Sequence, residues 1–72
     1  MEKSPVQRVA DEVRGELARQ HRTQTDLAEV LGIKQSAVSR RLTGVVPFDV
    51  AELAIVAAYL GVEPGALLGT AA

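Results

Sequence analysis

The sequence contains no cysteine, no tryptophan and a single histidine, His21. Disulfide bonds and thiolate metal sites are therefore excluded, and one isolated imidazole suggests neither a metal cluster nor a catalytic dyad. Phe48 and Tyr59 are the only aromatic residues, so aliphatic side chains must form most of the core. A chain of 72 residues without covalent staples is near the lower size limit for independent folding, and tight packing must stabilise it.

Long hydrophobic runs are also missing from the sequence. No stretch of about 18 apolar residues could span a membrane, and residues 1–8 are too polar for a signal peptide. We therefore expect one cytoplasmic domain over residues 1–72 with no membrane partner. A nucleophile beside a base, a metal-ligand set and a phosphate-binding loop are all lacking, so we expect no enzyme activity, no cofactor and no small-molecule ligand.

The net charge of −1 hides an uneven distribution along the chain. Residues 19–46 carry five basic and two acidic side chains, whereas residues 47–72 carry three acidic and no basic ones. A basic centre between acidic ends is typical of a local anion-binding face. Short windows vary by a few charges in any protein, however, so charge alone leaves an ordinary solvated surface as an equal alternative.

Capping residues and apolar periodicity predict five helices and no strands. The first helix begins with Ser4 as N-cap, Pro5 at its first position and Gln7 closing a capping box. The fourth helix begins at the capping pair Asp49 and Glu52. The expected core faces are Val6, Val9, Ala10, Val13 and Leu17 in the first helix and Val50, Leu53, Ala54, Ala57 and Leu60 in the fourth.

Between these helices lie two short helices joined by a tight turn. Thr23 and Asp26 predict the start of the second helix, and Gly32 predicts a left-handed end. The third helix follows after only about three residues and ends at Gly44, so the two helices must cross steeply. We therefore predict an all-α, compact five-helix bundle with a helix-turn-helix, formed by helices 2 and 3, at about residues 23–43.

The segment TQTDLAEVLGIKQSAVSRRLTG, residues 23–44, resembles the helix-turn-helix of the lambda-repressor-like (Xre/Cro) DNA-binding domains. The matching features are Gln24, Leu27 with Ala28, Gly32, Ile33 and Val38, and residues 52–68 are similar to the family's last two helices. The resemblance covers most of residues 6–68. It implies a transcriptional regulator, expected to be a repressor of the phage Cro or immunity type, that binds a double-stranded operator with helix 3 in the major groove.

The resemblance also implies which side chains contact DNA. Gln35, Ser36, Ser39 and Arg40 match base-reading positions, and Gln and Arg can pair bidentately with adenine and guanine. The residues expected to bind phosphates are Arg22, Thr23, Gln24, Lys34, Arg41 and Thr43. The position of Arg41 is usually apolar in such domains, so its stem could pack on the core. The alternatives are a solvated face for Arg40 and Arg41 and helix capping for Gln35 and Ser36.

The fourth helix has more apolar surface than one core face requires. Ile55, Ala58, Tyr59, Leu67 and Leu68 are the expected interface of a two-fold homodimer, formed by helices at about residues 49–68. The alternative is that these side chains are simply buried. A second functional interpretation is an antitoxin- or antirepressor-like module that holds another protein with this apolar half, and one chain could combine both functions.

Overall fold

Five helices make up the part of the protein that the structure, a computed structural model, describes: residues 3–68. The helices are α1 (Pro5–Arg19), α2 (Gln24–Leu31), α3 (Gln35–Leu42), α4 (Val50–Leu60) and α5 (Pro64–Leu67). No strand occurs between residues 3 and 68, so the predicted all-α, five-helix class is confirmed. No helix in this range is long and apolar enough to cross a membrane.

Capping residues fix where α2 and α4 begin. Thr23 Oγ1 accepts a hydrogen bond from the backbone N–H of Asp26, and the Asp26 carboxylate accepts one from the Thr23 N–H, both at 3.1 Å. Asp49 and Glu52 form the same reciprocal box at α4. Gly32 ends α2 with φ 67°, the left-handed conformation that the sequence predicts. The predicted boundaries of these two helices are thus confirmed by their hydrogen bonds.

At the start of α1, only half of the predicted capping box forms. Ser4 Oγ accepts a hydrogen bond from the Gln7 N–H at 3.1 Å, but the Gln7 side chain donates to Asp11 instead of returning to Ser4. Asp11 also pairs with Lys3 and Arg14. The hydrogen bond from Lys3, followed by that from Gln7, holds the pKa of Asp11 below its ordinary 3.8. The acidic charge of this part of α1 is therefore matched within the chain.

The core is entirely hydrophobic in residues 3–68, with no buried polar or charged side chain. α1 packs against α3, α4 and α5, while α2 packs against α3 and α4. Leu27 of α2 and Val38 of α3 are completely buried where these helices meet. The buried residues are Val9, Ala10, Val13, Leu17, Leu27, Ala28, Val38, Leu42, Phe48, Val56, Ala57, Leu60 and Leu67.

The predicted core face of α4 is partly wrong. Val50 and Ala54 were assigned to the core, but both are exposed, Val50 to 85%. Val56 is completely buried instead, beside Ala57. Because α4 is apolar on nearly every side, periodicity cannot select its inner face, and packing against α1, α2 and α5 decides it. In this orientation α4 leaves apolar side chains, among them Val50 and Ala54, exposed to solvent.

Substituting alanine at two glycines should change stability in opposite directions. At Gly32 a Cβ would meet no atom within 4 Å, so only the left-handed backbone matters, and Gly32→Ala should lower the free energy of unfolding by about 1 kcal/mol. Gly15 lies inside α1, and its Cβ would meet only the Arg19 side chain, at 3.5 Å. Gly15→Ala should raise stability by about 0.5–1 kcal/mol. Urea denaturation followed by circular dichroism measures both, and changes of the same sign would contradict this assignment.

Candidate nucleic-acid interface

Two buried residues anchor α3 and determine which side of the helix faces solvent. Val38 and Leu42, one turn apart, are 0% and 1% exposed and belong to the core that α3 shares with α1 and α2. Since each residue of an α-helix is rotated by 100° from the one before, Ser36, Ser39 and Arg40 lie away from the side of these anchors, while Gln35 is exposed as the first residue of α3. The four residues predicted to read bases are all exposed: Gln35, Ser36, Ser39 and Arg40.

The exposed polar side chains of α3 have no partners within the chain. In residues 3–68, the side chains of Gln35, Ser36, Ser39 and Arg40 form no hydrogen bond or ion pair. The N-cap of α3 is Lys34, and no side chain caps this helix, so capping does not explain Gln35 or Ser36. Their donors and acceptors are therefore free to bind a ligand from outside the chain.

Several predicted phosphate-binding residues lie at the helix ends next to this face. Lys34 is exposed at the start of α3, and Gln24 is exposed as the first residue of α2, where unpaired N–H groups favour anions. Thr23 Oγ1 accepts the capping bond of α2. Thr43 ends α3, and its hydroxyl donates to the Arg40 carbonyl at 3.1 Å. Lys34, Gln24 and the Thr23 hydroxyl, whose hydrogen the cap leaves unused, therefore offer donors for a phosphate, whereas the Thr43 hydroxyl already donates within the chain.

Arg41, predicted to bind a phosphate, instead points to α4. Its Nε donates to Glu52 Oε1, and its Nη1 donates to the Ala37 carbonyl, both at 3.0 Å. The Arg41 and Glu52 side chains are only 18% and 15% exposed. The guanidinium therefore neutralises a carboxylate inside the protein, which argues against the predicted phosphate contact. Sequence analysis found Glu52 as a capping residue, but nothing in the sequence indicated its pairing with Arg41.

Arg22, another predicted phosphate-binding residue, contacts Tyr59. Its guanidinium carbon lies 4.4 Å from the centre of the Tyr59 ring, a cation–π geometry. Its Nε donates to Gln20 Oε1 at 3.0 Å, and Gln20 Nε2 donates to the Leu60 carbonyl at 2.8 Å. This cluster joins the turn after α1 to the end of α4. Sequence analysis missed Gln20, because its partner is 40 residues away along the chain.

The predicted dimer interface is only partly exposed. Leu67 is buried, with 1% of its surface exposed, so its assignment to an interface is corrected: it belongs to the core. Ile55 and Leu68 are 44% and 45% exposed, and Ala58 is exposed as well, whereas Tyr59 is half-buried. Next to Leu68, a groove between α4 and α5 is lined by apolar residues: Val50, Leu53, Ala54, Pro64 and Leu68.

Removing the Arg22 guanidinium should weaken the connection between the α1–α2 turn and α4. We expect Arg22→Met to lower the free energy of unfolding by about 0.5–1 kcal/mol, through loss of the cation–π contact. Arg40→Met is the matched control, because the Arg40 side chain has no partner in the described chain, and it should leave stability unchanged. Urea denaturation measures both variants, and the fluorescence of Tyr59, the only tyrosine, should change in Arg22→Met alone. Equal stability of the two variants would refute the contact.

Comparison with known proteins identifies a family but no characterised relative. A family model described as the BetR domain matches residues 4–72. No curated protein and no solved structure matches the chain. The matched family is a small helical domain, which agrees with a helix-turn-helix-like arrangement of α2 and α3, while the likeness to lambda-repressor-like domains stays a prediction. Because the model covers nearly the whole chain, this protein belongs to the BetR domain family.

Proposed function

We propose that this protein is a transcriptional regulator, acting as a repressor, that binds double-stranded DNA with α3 in the major groove. The observation that supports the proposal best is the row of polar side chains on α3 without partners in the described chain. Exposed hydrogen-bonding groups on a helix that the core holds in place suit the reading of base edges. Membership of a family of small helical domains agrees with this role, and no catalytic role is proposed.

The side chains on α3 match the hydrogen-bonding patterns of the major groove. Arg40 can donate to guanine O6 and N7, and Gln35 can pair with adenine N6 and N7. Ser36 and Ser39 are short hydroxyls that serve as donor or acceptor for either base. Each good bidentate pair discriminates against the wrong base by about 1–3 kcal/mol. Arg40 and Gln35 are therefore the proposed specificity residues, with the serines in supporting contacts.

Phosphate binding falls to a small set of groups. Lys34 lies at one end of α3, and the first turn of α2 presents Gln24 with its free backbone N–H groups. Arg41 is paired inside the protein and Arg22 stacks on Tyr59, so neither is a free cation for the DNA backbone. Since each neutralised phosphate contributes about −0.9 to the slope of log K against log salt, we propose a shallow salt dependence.

A two-fold dimer would place two recognition helices on one operator. We propose that residues 23–43 form the DNA-reading unit, while α4 and α5, about residues 49–68, join two copies. Ile55 and Leu68 support this, because large exposed apolar side chains indicate a partner surface. Ala58, three residues after Ile55 on α4, is exposed as well. A palindromic operator would then have half-sites whose centres are about 34 Å apart.

The groove between α4 and α5 supports a second candidate function. Its apolar lining includes Val50, which is 85% exposed and contributes little to the core. Such a surface would also fit an antitoxin- or antirepressor-like module that binds another protein. The two candidates differ in their use of α3, since a pure protein-binding module has no need of free polar groups on that helix.

Selection from a random duplex library with purified protein at low salt tests the proposal directly. Enrichment of a two-fold-symmetric motif would support a dimeric reader of sequence and provide the operator. An enriched motif without symmetry would support the reading of bases and contradict the dimer. No enrichment at low salt, where phosphate contacts are strongest, would contradict DNA binding and favour the protein-binding module.

Two substitutions on the selected duplex should separate base reading from phosphate binding. Arg40→Ala should weaken binding by about 1–3 kcal/mol and relax the preference at one base position. Lys34→Ala should weaken binding to all sequences alike and reduce the salt slope by about 1. Titrations at several salt concentrations on matched and mismatched duplexes measure both effects. Unchanged specificity in Arg40→Ala would show that α3 has been placed wrongly.

A charge on the outer side of α4 should disrupt the dimer. Ala58 is exposed, so Ala58→Glu should leave the monomer folded while two copies of the charge oppose each other in a two-fold interface. The matched control is Ala18→Glu on the exposed side of α1. Sedimentation equilibrium should show a dimer for the wild type and control and a monomer for Ala58→Glu. A monomeric wild type, or no effect of Ala58→Glu, would exclude this interface.

A further inference from the structure

We propose that Arg41 and Glu52 form a positioning pair that sets the orientation of α3 relative to α4, and thereby the specificity of base reading. This inference rests on the proposed DNA-binding function. It assigns to Arg41 a role that its position beside Arg40 would not suggest. Arg40 contacts DNA in this scheme, whereas Arg41 contacts only the protein and acts through the helix that it holds.

The pair joins two helices that lack direct backbone packing. α3 packs against α1 and α2, but no Cα atom of α3 lies within 8 Å of one in α4. The polypeptide between the two helices, residues 43–49, leaves the helical conformation and contains Pro47. The Arg41–Glu52 ion pair is the polar side-chain bridge between α3 and α4 in the described chain. Its geometry therefore restricts how α3 can tilt against the rest of the bundle.

The position of the Glu52 side chain does not depend on Arg41 alone, because Glu52 also belongs to the capping box of α4. Its Oε1 accepts one hydrogen bond from the Asp49 N–H and one from Arg41 Nε, each at 3.0 Å. The Glu52 N–H in turn donates to Asp49 Oδ1 at 2.7 Å. One carboxylate oxygen thus contacts the last turn of α3 and the first residue before α4, and the capping box holds it in place.

Two hydrogen bonds hold the Arg41 guanidinium, and together they restrict its orientation more than a single bond would. Besides Glu52, it donates through Nη1 to the carbonyl of Ala37, one turn earlier in α3. The guanidinium is a rigid planar group, so two bonds in different directions fix its plane. Both charged side chains are less than a fifth exposed, and salt therefore screens their attraction less than that of a surface pair. A lysine ammonium lacks this rigid fork of donors.

A short helix has particular need of such a constraint. α3 has eight residues, of which only Val38 and Leu42 are buried. Aliphatic contacts resist separation strongly but resist small rotations weakly, because they have no directional preference. A hydrogen-bonded ion pair is directional and adds the missing restraint at the end of the helix that carries Arg40. Loss of the Arg41–Glu52 pair should therefore reduce sequence specificity more than it reduces the affinity for the DNA backbone.

The test compares affinity for the selected duplex with affinity for a scrambled duplex, each as a function of salt. In Arg41→Met the ratio of the two affinities should fall at least about fivefold, the low end of one bidentate base contact, with an unchanged salt slope. Arg41→Lys should not rescue the ratio, although it keeps the charge. Glu52→Gln keeps a neutral oxygen that can cap α4 and accept from Arg41 but removes the charge that strengthens the bond to the guanidinium, so it should lower the ratio in the same direction. Arg41→Met combined with Glu52→Gln should lower the ratio no further than Arg41→Met alone.

Lys34→Met is the control for the loss of a phosphate contact. The affinities for the selected and the scrambled duplex should fall by the same factor, and the salt slope, that of log K against log salt, should fall in magnitude by about 1. Gly32→Ala is the control for lost stability, with both affinities following the folded fraction measured by urea denaturation. If Arg41→Met matches either control, or the wild type, the positioning role is overturned. Rescue of the ratio by Arg41→Lys would also overturn it, because charge alone would then suffice.

The outcome for the wild type separates this inference from the proposed function. If the wild type selects no duplex, DNA binding itself fails and the inference fails with it. If the wild type selects a duplex and Arg41→Met changes only the salt slope, DNA binding stands and the positioning pair is refuted. A fall in the affinity ratio at constant slope, shared by Arg41→Met and Glu52→Gln, supports both.

Discussion

The burial of Val38 and Leu42 is the constraint on which the candidate interface depends. These two side chains determine which side of α3 faces the core, because almost none of their surface is exposed. Close approach of α2 to α3 requires small side chains, and Ala28 at 7% exposure provides one. With that side buried, the side chains of Gln35, Ser36, Ser39 and Arg40 are exposed to solvent. Hydrophobic packing thus selects which side chains of α3 can contact a ligand.

The net charge of the chain does not predict the electrostatic potential at α3, because several charged side chains neutralise one another in ion pairs. Glu16 pairs with Arg19, and the hydrogen bond from Arg19 holds the pKa of Glu16 below its ordinary 4.5. Glu52 is matched by Arg41. Of the lysine and arginine side chains in residues 3–68, those of Arg8, Lys34 and Arg40 form no hydrogen bond or ion pair, and the last two lie at α3. A slightly acidic protein can therefore present a positive helix, since the field near a surface follows its unpaired charges.

Local signals in the sequence predicted the fold, while contacts between distant residues decided much of the site. Caps and glycines act within one helical turn, so the limits of α2 and α4 followed from Thr23, Gly32 and Asp49. The inner face of α4 was predicted correctly for Ala57 and Leu60 but wrongly for Val50 and Ala54, because an almost uniformly apolar helix has no preferred side until its neighbours are placed. The same reason applies to Leu67, which packs only once α5 meets α1 and α4.

The arginines show most clearly what sequence patterns leave out. Arg40 and Arg41 are neighbours with identical chemistry, yet a turn of 100° about the helix axis sends one to solvent and the other to Glu52. The direction of Arg41 depends on a carboxylate 11 residues away that also caps α4. The core of residues 3–68 contains no buried polar side chain, so the direction of a helix can be specified by such half-buried pairs, because aliphatic packing alone tolerates small shifts. A domain of this size can thus obtain stability from its leucines and valines and orientation from a single ion pair.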